Sequence, residues 1–120
     1  MPHSHEDDAL LLDMMDSARA IVGMVSGMAY SDYAGDRRTR RAIEREVEII
    51  GEAARKVSKG LQDAHPEIPW RKIVGQRHKL AHEYGEIEDE IIWRVATVHI
   101  PELIDLLEPL IPSIPPEEDD

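Results

Sequence analysis

The eight residues Arg77-His78-Lys79-Leu80-Ala81-His82-Glu83-Tyr84 gather a fixed cation, two imidazoles and a phenol. A guanidinium can hold a phosphate through paired N–H donors and oppose charge that develops on it. An imidazole exchanges a proton near neutral pH. In RNA that proton would come from a ribose 2′-hydroxyl, whose oxygen then attacks the adjacent phosphate, a route that needs no metal. Arg77 and His82 are five residues apart, about 140° around an ideal helix at roughly 100° per residue. They would converge only near a helix end, or across a symmetric dimer in which two copies of this helix meet. Two other readings of the same residues stand beside that one. In the plainest, Arg77 pairs with a Glu of the preceding helix, His82 caps a helix end and Tyr84 packs on the core. In the other, His78 and His82, four apart on one face, are spaced as two zinc ligands would be. Lys79, however, stands where an H-E-x-x-H site has its Glu.

The elements that must position this segment read as helices. Leu11, Met15, Ala18, Val22, Val25 and Ala29 recur at spacings of four and three, predicting a helix over residues 9 to 29. Gly23 and Gly27, themselves four apart, would allow close helix contact. Residues 31 to 36 are turn-like, with Asp36 placed to cap the next helix. Ile43, Val47, Ile50, Ala54, Val57 and Leu61 predict that second helix from Arg37 to Leu61, with Gly60 near its stop. His65-Pro66-Glu67-Ile68-Pro69-Trp70 is a stiff connector, because each proline pushes its predecessor towards extended backbone. A third helix runs from Trp70 to His82 and ends at Gly85. Its stripe would be Ile73, residue 77, Leu80 and residue 84, so Arg77 and Tyr84 occupy places that a simple buried face gives to apolar side chains. The fourth covers Glu88 to Leu107 with Ile91, Val95, Val98, Leu103 and Leu106 or Leu107 inward, kinked or divided at Pro101. Trp70 and Trp93 read as core or interface anchors, and His3 and His5 as solvated. The domain division is a flexible acidic N-terminus over 1–8, an all-α antiparallel bundle of four main helices over 9–108, and a Pro-rich acidic tail over 109–120.

The chain has 120 residues, no Cys and no Phe. One modest aliphatic core fits that length, and disulfides, thiolate metal sites and cysteine nucleophiles are excluded. No apolar run reaches the roughly 20 residues of a membrane span, and the acidic N-terminus lacks the layout of a secretion signal, so a cytoplasmic location is expected. A net charge of −11 superficially argues against nucleic acid. The distribution leaves the question open. Residues 36 to 82 hold 12 of the 14 Lys and Arg against seven of the 25 Asp and Glu, so one middle region can meet phosphates while the total stays acidic.

Glu48-Ile49-Ile50-Gly51-Glu52-Ala53, Pro66-Glu67-Ile68-Pro69-Trp70, Arg77-x4-His82-x-Tyr84, and Trp93 with the trailing Ile100-Pro101-x-Leu103 follow one another in the chain. Together these segments resemble the HepT-like family of the HEPN class of α-helical nucleases. The resemblance spans about residues 10 to 107, with the motifs in the family's order. It implies a homodimer whose two Arg-x4-His motifs line a cleft, acting as a metal-independent endoribonuclease toxin of a type VII-like toxin–antitoxin pair. By that match Arg77 acts on phosphate and His82 in acid–base work, with no cofactor. The implied partner is a minimal nucleotidyltransferase antitoxin that transfers AMP from ATP to the motif tyrosine, here Tyr84. One position departs from the commonest pattern: the residue after the Arg is frequently Asn, and here it is His78. It keeps a polar side chain for alignment, or shares in proton transfer. A second expectation, from a different class, is a non-catalytic helical module that binds and regulates such a nucleotidyltransferase.

Overall fold

The computed structural model describes residues 4–80 and 86–111, with side chains at 4–75 and 88–111. Its architecture is all-α. Four long members, α1 (His5–Val25), α3 (Arg37–Lys56), α5 (Trp70–Leu80) and the composite of α6 (Glu86–Arg94), a π-helical turn (Val95–His99) and α7 (Ile100–Leu107), are joined by short helices α2 (Tyr30–Ala34) and α4 (Lys59–Ala64). No strand occurs among the described residues.

The first helix begins earlier than residue 9. Ser4 accepts the Asp7 amide at 3.0 Å as its N-cap, and Glu6, Asp7 and Asp8 fill the first turn, where carboxylates complement the positive end of the helix. Asp7 is only 5% exposed and reaches α3's far end, where it accepts from the Ser58 backbone N–H at 2.9 Å and the Ser58 hydroxyl at 2.6 Å. Residues 5–8 are thus part of the bundle rather than a flexible lead. The helix also stops earlier, at Val25, so Ala29 is exposed. Gly27 follows the cap with a φ of 80°, the left-handed geometry that favours glycine just beyond a helix end. A Cβ built on Gly23 or Gly27 meets nothing within 4 Å among the described residues, so neither makes a close helix contact there.

The stripe of α3 is buried as its spacing predicts, through Ile43, Val47, Ile50, Ala54, Val57 and Leu61. The backbone nevertheless breaks before Leu61. Val57 takes extended geometry, and the Ser58 hydroxyl, while donating to Asp7, accepts the Leu61 amide at 3.3 Å to cap α4. Gly60 falls inside α4 rather than at a stop. A stripe records which side chains go inward; it does not record that a buried carboxylate will draw a serine amide out of the helical ladder.

Because Asp7 at the start of α1 meets Ser58 just past the end of α3, these two helices run antiparallel. The connector from His65 to Trp70 is fixed by Ile68, 1% exposed, and by Trp70, whose indole Nε1–H donates to the His65 carbonyl at 3.0 Å. It launches α5 from the C-terminal end of α3, against which α5 packs.

The last member departs from the simple stripe. Ile92, Val95, Ala96, Ile100, Leu103 and Leu107 are buried, whereas Val98 is 46% exposed. Val95 and Ile100 are five apart, and the Ile100 amide donates to the Val95 carbonyl, which is one π turn. The extra residue rotates the face so that Ile100 replaces the expected Val98. It also falls immediately before Pro101, whose ring would clash with the carbonyl four residues back in a regular helix. The expected interruption at Pro101 is therefore found one turn upstream of it.

Candidate active site

Arg77 and His78 lie on the backbone of α5, but their side chains, and His82 and Tyr84 altogether, fall outside the described residues. The site is therefore built from the elements on either side of the motif. α5 leaves the C-terminal end of α3 and α6 begins against its N-terminal half, because the Arg40 guanidinium meets the Asp89 carboxylate at 3.6 Å. Five residues join Leu80 to Glu86, so at about 3.5 Å per residue the gap is at most roughly 20 Å. α5 must then run antiparallel to α3, so that its last described residue, Leu80, lies towards the N-terminal end of α3.

That end carries a polar cluster. Asp36 caps α3 through the Thr39 amide (3.1 Å) and hydroxyl (2.8 Å), which hold its carboxyl below the usual range, with Arg38 adding to the effect. Arg40, besides Asp89, donates to the Ala34 carbonyl at the end of α2. One guanidinium thus ties α2, α3 and α6 together five residues beyond Tyr84. Tyr33 is fully buried beneath it, and its hydroxyl has no hydrogen-bond partner among the described residues. Burial pushes that phenol well above its ordinary value; Glu44 and Asp89 push the same way and Arg40 opposes them. Glu44 is itself raised, first by burial and then by the carboxylates of Glu88 and Asp89. Low water access and crowded like charge are features of a working site as much as of a fold.

Beside the cluster, Trp93 packs its ring 5.4 Å from that of Tyr33 and 6.1 Å, edge-on, from that of Tyr30. The outer side of this triad opens into a groove of about 480 Å³ lined by Tyr30, Ile91, Trp93 and Val95, with Glu90, Arg94 and His99 at its polar edges. Trp70 is core; Trp93 is half-buried and faces both ways.

Sequence reasoning did not single out Tyr33, Arg40, Glu44 or Asp89. For two of them a signal was present. Arg40 and Glu44 are four apart and border the Ile43–Val47 stripe, an arrangement that favours an intrahelical pair. The partner of Arg40 across the bundle leaves no local trace.

The family model described as "Ribonuclease HepT-like" matches residues 14–110, which include the whole motif. The chain belongs to the HepT-like family. A protein named "Probable ribonuclease HepT" from Thermococcus cleftensis is 33% identical over 103 residues, covering 86% of this chain and 92% of that protein. Two others carry the name "Putative RNase". MJ0127 of Methanocaldococcus jannaschii is 30% identical over 111 residues, 92% of each chain. TTE0752 of Caldanaerobacter subterraneus is 36% identical over 90 residues, 75% of this chain and 80% of that one. No solved structure matches the chain at a significant level. The family expected from the motif order is thus the family found. Among the described residues no helix is long and apolar enough to cross a membrane.

Proposed function

We propose that this chain is a metal-independent endoribonuclease toxin that acts as a homodimer and is neutralised by a nucleotidyltransferase antitoxin. The observation that carries the reading is the match to the ribonuclease family across residues 14–110, a span that takes in Arg77 through Tyr84. Arg77 holds the scissile phosphate and opposes the charge that grows on its oxygens. His82 takes the proton of the 2′-hydroxyl as that oxygen attacks phosphorus, and an acid returns a proton to the departing 5′-oxygen. His78 aligns the pair or supplies that acid. On an ideal helix positions 77 and 82 stand about 140° apart, which is the reason for a dimer: two copies of the motif supply groups that one helix would not turn to one side.

Tyr84 is the proposed switch. Its phenol oxygen attacks the α-phosphorus of ATP in the antitoxin's active site, pyrophosphate leaves, and the tyrosine carries AMP. The added bulk and negative charge beside the cleft would exclude RNA and repel it.

Purified wild-type protein, verified by intact mass to be unmodified at Tyr84, should cleave RNA in the presence of chelator, and His82→Ala should leave RNA whole. Equal survival of RNA with both proteins would sink the nuclease reading in favour of a non-catalytic module that regulates the nucleotidyltransferase. Gel filtration should give the mass of a dimer, and a stable monomer would remove the proposed cleft. Co-expression with the nucleotidyltransferase should add AMP units to the wild type and none to Tyr84→Phe.

A further inference from the structure

Four arginines decorate the first three turns of α3: Arg37, Arg38, Arg41 and Arg45, all exposed. At about 100° per residue they fall within an arc of roughly 100° on the side of the helix opposite the Ile43–Val47–Ile50–Ala54 stripe. Such a stripe costs the fold stability rather than supporting it. Arg37–Arg41 and Arg41–Arg45 are like charges at i,i+4, which repel, and cations at a helix N-terminus oppose its dipole. No acidic residue occupies the first turn of α3.

Folded-state partners do not account for Arg37, Arg38 and Arg41. Further along α3, acidic and basic residues neutralise one another: Glu52 meets Arg55 at 2.7 Å and Lys56 at 3.6 Å, and Glu48 approaches Arg45 at 4.0 Å. Arg37 and Arg41 have no ion pair or hydrogen bond through their side chains among the described residues, and Arg38 has only the charge of Asp36 beside it. Arg40, one position away, is engaged inward with Asp89 and the Ala34 carbonyl. That tie, to an aspartate five residues after Tyr84 in the chain, fixes the stripe at the end of the bundle where α6 begins. In a chain of net charge −11, unpaired guanidinium groups concentrated at the end of the bundle where α6 begins call for an anionic ligand.

We propose that Arg37, Arg38 and Arg41, extended by Arg45, form a track for the phosphodiester backbone of single-stranded RNA running to or from the motif. The inference rests on the ribonuclease reading and adds to it where the chain of the substrate lies outside the reacting bond. Guanidinium suits this role because its planar fork donates two N–H bonds to one phosphate. Contacts of this kind carry no base preference, so they set affinity and leave the choice of cleavage site to other groups.

The test uses Arg37→Gln, Arg38→Gln and Arg41→Gln combined, together with the corresponding triple Glu variant. Binding of a long unstructured RNA is measured in the His82→Ala background, and cleavage of long RNA and of a diribonucleotide in the parent. The expected results are a loss of affinity for long RNA of roughly tenfold or more, a salt dependence whose slope shrinks by about 2, and larger losses with the Glu variant. Diribonucleotide cleavage should stay at the wild-type rate, and the thermal midpoint of the Glu variant should equal or exceed wild type, since it relieves the opposed dipole. Unchanged affinity and slope would overturn the track, as would equal losses on the long RNA and the diribonucleotide. RNA binding left intact while capture of the nucleotidyltransferase is lost would also overturn it, in favour of a protein-docking stripe. If the parent cleaves nothing, the nuclease reading fails on that result, while the binding arm still tests the track.

Discussion

At the C-terminal end of α3 a buried carboxylate is fully served: Asp7 takes both the amide and the hydroxyl of Ser58, and the same hydroxyl caps α4. At the N-terminal end the buried polar groups are not served in this way. The buried Tyr33 hydroxyl meets no partner among the described residues, and the half-buried Glu44 retains its proton more readily than usual because of partial burial and of the neighbouring Glu88 and Asp89. The same helix therefore bears a structural joint at one end and polar strain at the other. Buried polar groups are nearly always paired, and exceptions concentrate where a protein works. α6, which follows the motif in the chain, begins at the strained end.

Substitutions that affect only one end should break this comparison if it is false. The largest effect belongs to the motif: His82→Ala should lower RNA cleavage by on the order of 10²–10⁴-fold with an unchanged urea midpoint. A parallel fall in stability would mean that His82 holds the fold instead. Asp7→Ala should do the reverse. It removes two hydrogen bonds to a charged acceptor and strands the Ser58 amide, costing about 3 kcal/mol, read by urea unfolding, while the folded protein cleaves at the wild-type rate. A loss under about 1 kcal/mol would show that the joint is replaceable.

Tyr33→Phe deletes an unserved buried hydroxyl and keeps the ring packed on Trp93, so stability should hold or rise by about 1 kcal/mol. A clear loss would mean that the hydroxyl finds a partner in residues beyond those described. Glu44 gives a smaller, pH-dependent effect. Its carboxyl is raised in the folded state, so the folded protein binds the extra proton and stability falls as pH climbs from the ordinary glutamate value through the raised one. Glu44→Gln should flatten that fall and be the more stable protein at neutral pH, converging with wild type in acid. A difference that grows towards low pH would contradict the sign. Smallest of all, Glu48→Gln removes an exposed partner of Arg45, 4.0 Å away, and should change stability by less than about 0.5 kcal/mol.

The amino-acid sequence by itself determined much of this protein. The period of Ile43, Val47, Ile50, Ala54, Val57 and Leu61 named six buried positions, because burial of one helix face is a local, repeating demand. Asp36 declared its cap in the same way, since capping involves residues three apart. The order of motifs from Glu48 to Leu103 identified the family. Tertiary structure decided what depends on partners distant in the chain. Asp7, 51 residues from Ser58, turned an acidic lead into a joint and cut the expected second helix in two. The π turn at Val95–His99 moved Val98 out and Ile100 in, a register that no fixed period can express. Arg40, anchored on Asp89, placed the start of α6 against the start of α3. Spacing can show that a side chain is out of place on its own helix; only packing shows what it was placed beside.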